Sequence, residues 1–321
     1  MKMKTQYLRI DASWPQARIV TMAAAYIKAG ELVAFPTETV YGLGADAFQP
    51  AAVYKIFAAK GRPADNPLLV HVSNMDQVRM LAKEVPPSAE KLMERFWPGP
   101  LSMVLPSLPS VPKVVRGGRD GVGLRMPSHL VALALIDSTG PLAAPSANRF
   151  GRPSPTTAEH VRQDLDGRIA AVLDAGETGT GLESTLIDLT GDHFRLLRRG
   201  GLRKELIEQC LGHELEQDLP DRSGYQSPIQ IVLSENGADF EKRLAEARSQ
   251  VIGIVYLGDA DGRRNGYAKR VFTLDVAGTG AGLYSIIREA EAIGIEFLLF
   301  APFDPCEVGE AWLDRLQRAI K

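Results

Sequence analysis

Apolar residues fall along this chain in two alternating rhythms. Short runs at 32–35, 68–72, 101–105, 142–144, 169–173, 184–189 and 193–197 have the length and composition of buried strands. A first short strand is expected at 7–10. Between these runs the apolar positions recur every three or four residues. Ile19, Met22, Ala23, Tyr26 and Ile27 do so before Gly30, which predicts a helix and its stop. Pro50 opens a helix that carries Val53, Ile56 and Phe57 on one face and ends at Lys60. Further helices are expected at 75–82, 88–96, 128–136 with Ser128 as N-cap, from Thr157 onward, and at 202–211. Gly42 and Gly44 read as a turn after the 32–35 strand, and 174–183 is too glycine-rich for a regular element.

The periodicity fades at 212–228, which reads as a linker. Beyond it, strands near 229–233, 251–257, 271–274 and 297–300 alternate with helices near 240–247, 281–293 and 308–320, as in a small α/β domain. The expected organisation is therefore a larger domain over 1–211, a linker over 212–228 and a smaller domain over 229–321. A length of 321 residues accommodates two such domains.

Composition narrows the function classes. The formal net charge of −2 gives no global attraction to nucleic acid, although local basic clusters can still bind phosphates. Two cysteines, Cys210 and Cys306, make neither a disulfide framework nor a zinc site, and a cytoplasmic location is expected. The five histidines lack metal-ligand spacing, so no protein-held metal is expected and a divalent ion would ride on substrate phosphates. No apolar run is long enough to span a bilayer, so no membrane partner is expected.

Candidate chemistry concentrates at strand and helix ends. Lys60 and Arg62 flank Gly61 where the second helix stops, and two adjacent cations there can hold phosphates. Cations at a helix C-terminus are also mildly stabilising in their own right. Thr37 and Thr39 follow a strand, either as substrate-facing hydroxyls or as turn caps. His71 sits in a strand, where a lone histidine is usually structural but can also bond a substrate. Ser146 and Asn148 follow a short strand, and Arg125, Ser184, Thr185 and Arg198 lie beside others. Neither GxGxxG nor GxxxxGK[ST] is present, which disfavours a Rossmann dinucleotide site and a P-loop.

Taken in order, Pro36-Thr-Glu-Thr-Val-Tyr-Gly-Leu43, Lys60-Gly-Arg-Pro63, Asn66-Pro-Leu68, Trp97-Pro-Gly-Pro-Leu101, Arg125-Met-Pro127, Pro145-Ser-Ala-Asn148, Ser154-Pro-Thr156, Glu183-Ser-Thr185 and Leu197-Arg-Arg-Gly200 resemble the Sua5/YwlC/YrdC family, the threonylcarbamoyl-AMP synthases. The resemblance implies an α/β fold: a YrdC-like twisted mixed-sheet domain with flanking helices, then a smaller Rossmann-like α/β Sua5 C-terminal domain. It implies synthesis of L-threonylcarbamoyladenylate and pyrophosphate from L-threonine, bicarbonate or CO2, and ATP, with Mg2+ carried by the ATP phosphates. A transfer machinery then passes the group to adenosine next to the anticodon of ANN-decoding tRNAs. By the same resemblance Lys60 and Arg62 are catalytic. Lys60, Arg62, Ser146, Asn148 and Arg198 bind nucleotide, and Thr37, His71, Arg125 and Ser184 surround threonine.

One segment departs from the family pattern. Its two-domain members carry a linker reading about PGMKYRHYAP, whereas residues 219–228 read LPDRSGYQSP, with Tyr225 as a possible linker contact to the cleft. Two other readings stay open. One is a transferase handling carbamoyladenylate. The other is a non-enzymatic RNA-binding protein using Arg116, Arg119, Arg149, Arg152, Arg195, Arg198, Arg199, Arg203 and Lys204.

Overall fold

The computed structural model describes residues 4–219, 225, 227–258, 268–274 and 281–320, so the linker expected at 212–228 is only partly among them. The chain separates into two compact units, one of 1–150, 154–179 and 183–220, the other of 151–153, 180–182 and 221–321. The two three-residue excursions into the second unit have no signature in the hydrophobic pattern.

The first unit contains β1 (Gln6–Arg9), α1 (Ala17–Lys28), β2 (Val33–Phe35), β3 (Gly42–Asp46), α2 (Pro50–Lys60), β4 (Leu69–His71), α3 (Met75–Arg79), α4 (Pro87–Phe96), β5 (Leu101–Pro106), α5 (Lys113–Arg116), β6 (Gly121–Arg125), α6 (Leu130–Thr139), β7 (Leu142–Ala143), α7 (Ala158–Leu165), β8 (Ala171–Asp174), β9 (Thr185–Asp188), β10 (Arg195–Arg198), α8 (Lys204–Leu211) and β11 (Glu216–Gln217). The strands form one mixed sheet in the order β1-β8-β2-β3-β7-β4-β6-β5-β9-β10-β11.

Local chemistry explains most boundaries. Val20, Ala23, Ala24 and Ile27 give α1 its buried stripe. Pro50 occupies the first turn of α2, and Gly61 ends it in the left-handed region at φ 66°. The Thr157 hydroxyl accepts the His160 amide and starts α7. Three expectations are corrected. Residues 42–46 are a strand, not a turn, because Gly42 and Gly44 pair with Phe35 and Val33 of β2. The N-cap of α6 is His129, whose ring accepts the Val131 amide, and not Ser128. Residues 216–217, expected in the linker, pair with β10 as β11.

Side chains alternate across the sheet. On one face Val33, Phe35, Leu142, Ala144, Ala171 and Leu173 pack with apolar residues of α1 and α6. On the other, Ala34, Ala143, Val172, Val70, Leu124, Met103 and Ile187 join the larger core. Applied to β4, β6, β5 and the chain entering β9, the same alternation puts His71, Arg125, Ser102 and Ser184 on the α1–α6 side. There the face changes from apolar to polar, and that change positions the site.

The second unit contains β12 (Gln230–Leu233), α9 (Gly237–Glu246), β13 (Ile252–Leu257), β14 (Ala268–Leu274), α10 (Ala281–Ala292), β15 (Phe297–Phe300) and α11 (Glu310–Ala319). Its strands form a wholly parallel sheet in the order β12-β15-β13-β14. Ile231, Val255, Leu298 and Phe300 face Leu283, Ile287, Trp312 and Leu316 of α10 and α11. Val232, Ile254, Tyr256 and Leu299 face Phe240 and Leu244 of α9. Both faces are thus covered, as a parallel sheet requires.

Candidate active site

Two polar clusters form in the first unit, joined by the connection between β2 and β3. The first gathers at the end of α2. Lys60 is 2% exposed, and its ammonium donates to the carbonyl oxygens of Ser146 and Asn148, each at 2.5 Å. The Lys60 carbonyl accepts the Phe150 amide at 2.8 Å, so the lysine clasps the 146–150 loop from both ends. Arg62 donates to the Pro67 carbonyl at 3.1 Å. Asn148 is 5% exposed, and its side-chain amide donates to the Arg149 carbonyl at 2.8 Å. The link of Lys60 to Ser146 and Asn148 thus runs chiefly through backbone carbonyls.

The second cluster lies on the polar stretch of sheet face. His71 and Arg125 are register partners on β4 and β6, each 3% exposed. Arg125 forms an ion pair with Glu38 at 2.8 Å, and its Nε donates to the Gly99 carbonyl at 3.4 Å. The second Glu38 oxygen accepts the Ser128 amide at 3.2 Å. Ser184 and Ser102 share a hydroxyl–hydroxyl bond of 2.7 Å. The Arg198 fork donates to the carbonyl and hydroxyl oxygens of Ser184, both at 2.9 Å. Burial, then the guanidiniums of Arg125 and Arg198, push the proton affinity of His71 well below that of a free imidazole, so the ring is neutral near pH 7. Its Nδ1 is buried and has no hydrogen-bond partner among the described residues.

Phe35 supports the histidine edge-on, with ring centroids 6.1 Å apart. Its ring crosses β3 only because that strand lacks side chains beneath it. A Cβ on Gly44 would stand 2.8 Å from Phe35 Cε1, and one on Gly42 3.3 Å from Cζ. These glycines, which the sequence presented as a turn, make room for an aromatic support.

The 36–41 connection ties the clusters together. Glu38 reaches Arg125 in the second, while the Tyr41 carbonyl accepts the Ala147 amide in the first at 2.8 Å. Thr37 is 1% exposed and organises this turn. Its hydroxyl donates to the Val40 carbonyl at 2.7 Å and lies 2.8 Å from the Thr39 hydroxyl. Thr185, also buried, donates to the Leu202 carbonyl at 2.5 Å.

Charge and hydroxyls at strand ends do not single out Glu38 or Ser102. Glu38 stands between Thr37 and Thr39 inside the Pro36–Leu43 motif. Ser102 interrupts an otherwise apolar strand on the alternation that carries Arg125. Tyr225 belongs to the second unit, where its ring meets Tyr284 of α10 and the two hydroxyls are 2.6 Å apart. Residues 220–224 and 226 of the atypical segment lie outside the described residues. Several cations of the RNA-binding reading are internally engaged. Arg195 pairs with Asp188 and Asp218, Lys204 with Glu208, and Arg152 with Glu291. Arg199 donates to Gln217. Among the described residues no group of three or more His, Cys, Asp or Glu side chains is placed to hold a metal ion, and no helix is long and apolar enough to cross a membrane.

An α/β domain with this mixed sheet, its KxR and SxN residues joined through the lysine, defines a class that comparison with known proteins then names. A family model described as Sua5_yciO_yrdC, telomere recombination, matches residues 25–200. The threonylcarbamoyl-AMP synthase of Pyrococcus abyssi is 41% identical over 323 residues, covering 94% of this chain and 93% of that protein. The threonylcarbamoyl-AMP synthase of Bacillus subtilis is 40% identical over 322 residues, covering 94% and 92%. The crystal structure of P. abyssi Sua5 complexed with L-threonine superposes with a TM-score of 0.89 at 38% identity, covering 98% of this chain and 97% of that one. The chain belongs to the Sua5/YciO/YrdC family.

Proposed function

We propose that the chain is a threonylcarbamoyl-AMP synthase. It condenses L-threonine, bicarbonate or CO2, and ATP into L-threonylcarbamoyladenylate and pyrophosphate, for modification of tRNA by a separate transfer machinery. The observation that carries this reading is the 36–41 connection, which couples a lysine-centred cluster suited to phosphates to a cluster with paired opposite charges suited to an amino acid.

In this reading Lys60 and Arg62 hold the triphosphate and stabilise charge that grows on it, with Ser146, Asn148 and Arg198 completing the nucleotide contacts. The carbonyls of Ser146 and Asn148 fix the Lys60 ammonium, so little reorganisation is left for the reaction. Arg125 and Glu38 present a cation and an anion side by side, which complements the carboxylate and ammonium of a zwitterion. Thr37 shapes the turn, while neutral His71 and Ser184 offer polar atoms to the threonine hydroxyl. The neutral amine of threonine attacks CO2 and releases one proton to solvent, giving a carbamate. A carbamate oxygen then attacks the α-phosphorus, and the bond to the β-phosphate oxygen breaks to release pyrophosphate. Mg2+ enters on the ATP phosphates and offsets their charge.

The first unit carries this chemistry. The test is pyrophosphate release by the purified chain as each substrate is left out. Release that requires threonine and bicarbonate together supports the reading. Release with ATP and carbamoyl phosphate alone favours a carbamoyladenylate-handling enzyme, and salt-dependent tRNA binding without turnover favours the RNA-binding alternative.

A further inference from the structure

Three polar side chains of the first unit meet on one row of its sheet. Ser102 of β5 stands opposite Leu186 of β9, and Leu186 stands opposite Arg198 of β10. The register of β9 and β10 shifts between Leu196 and Arg198, so Leu197 is an extra residue and Arg198 turns to the face that carries Ser102. Ser184, two residues before Leu186, lies on the same face. We infer that Ser102 is a positioning residue that makes the Ser184 hydroxyl a donor only, so that the cluster takes the threonine hydroxyl as an acceptor at that point. The threonine part of this inference rests on the synthase reading.

A hydroxyl carries one proton to donate and two lone pairs to accept with. Thr37 gives its proton to the Val40 carbonyl and Thr185 gives its own to the Leu202 carbonyl, so neither has one to spare. Thr39, whose oxygen lies 2.8 Å from that of Thr37, must then donate to it. Ser184 differs. Its oxygen accepts from the Arg198 guanidinium at 2.9 Å and lies 2.7 Å from the Ser102 oxygen. Among the described residues no carbonyl or carboxylate takes the Ser184 proton.

Either serine can donate in the bond between them, and each choice leaves one proton unmet. Ser102 is fully buried between Leu101 and Met103, and among the described residues its hydroxyl bonds only to Ser184. A proton left unmet there stays unmet whatever binds, at the full cost of its desolvation. If Ser102 donates instead, it and Arg198 fill both lone pairs of Ser184, whose own proton is then left in the cluster that holds His71 and Arg125. An acceptor oxygen on a ligand can meet it there. In the synthase reading Arg125 and Glu38 take the carboxylate and ammonium of the zwitterion, which leaves the threonine hydroxyl as that oxygen.

The test is calorimetric binding of L-threonine, L-valine and ATP to the full-length chain and to its Ser102→Ala variant. Valine has the shape of threonine without the hydroxyl. Ser102→Ala should weaken threonine binding roughly tenfold, the worth of one neutral hydrogen bond, and leave valine and ATP unchanged. Ser102→Thr, which keeps the hydroxyl, should bind threonine as the wild type does. Threonine binding by Ser102→Ala equal to that of the wild type overturns the inference. So does an equal loss for threonine and valine, which a merely structural role would produce. Neutron diffraction from wild-type crystals exchanged into D2O reads the direction of the bond itself and decides the matter even if Ser102→Ala does not fold. A deuteron on Ser102 Oγ aimed at Ser184 is expected; a deuteron on Ser184 Oγ aimed at Ser102 overturns the inference. The expected deuteron in a chain that binds no threonine would reject the synthase reading and leave the role of Ser102 standing.

Discussion

Replacing Glu38 with glutamine tests the joint between the two clusters. The substitution keeps the shape of the side chain and an acceptor for the Ser128 amide, but it leaves the Arg125 guanidinium without its counter-charge. The two side chains are 4% and 17% exposed. Breaking a buried ion pair from one side costs about 3–5 kcal/mol, and the partial exposure of Glu38 places this case near the lower end, about 3 kcal/mol. Urea denaturation measures the loss. Native-state exchange of β4 and β6 amides assigns it to the first unit, because two compact units need not unfold together. Glu38→Gln combined with Arg125→Met removes both charges and should recover about 1 kcal/mol or more of the single-variant loss. If the pair also receives the zwitterion, the KM for threonine rises while that for ATP changes little. A Glu38→Gln protein within about 0.5 kcal/mol of wild type, the range of ordinary surface substitutions, refutes the energetic reasoning.

Three more outcomes are expected. Lys60→Ala should lower turnover by about two orders of magnitude or more, as loss of a charge-stabilising donor does, and unaltered kinetics would reject its role. His71 has a lowered proton affinity when folded, so below about pH 6.5 the unfolded chain binds more protons than the folded one. Its contribution is therefore intact above that pH and is lost as pH falls, by up to about 1.4 kcal/mol per unit; His71→Asn should flatten urea stability between pH 7 and 5.5, and an unchanged slope would contradict the assignment. A Cβ at Gly200 would lie 2.3 Å from the Glu183 carbonyl oxygen and 2.4 Å from the Thr185 nitrogen, so Gly200→Ala should cost roughly 2–3 kcal/mol in thermal or urea melts by forcing apart the backbone that presents Ser184. A melt indistinguishable from wild type would show that this contact relaxes freely.

Much of this architecture was legible because strands and helices announce themselves by period. The α1 stripe, the Pro50 start and Gly61 stop of α2, and the Thr157 cap all follow from local chemistry. What stayed hidden depended on partners distant in sequence. Gly42 and Gly44 look like turn residues until Phe35 is seen lying across them. Glu38 looks like surface charge until Arg125, far along the chain, arrives beside it. Residues 151–153 and 180–182 read as loop, since nothing in three residues reveals that they belong to another unit. The candidate site residues stand out by type and motif, but not their division into two clusters. Nor was it legible that the principal link from Lys60 to Ser146 and Asn148 runs through backbone carbonyls.

The purified chain, incubated with ATP, L-threonine and isotopically labelled bicarbonate, should yield threonylcarbamoyl-AMP that carries the label, identified by mass spectrometry, with pyrophosphate as its co-product. A labelled carbamoyl adenylate formed without threonine, or no adenylate when all three substrates are present, would contradict the synthase assignment.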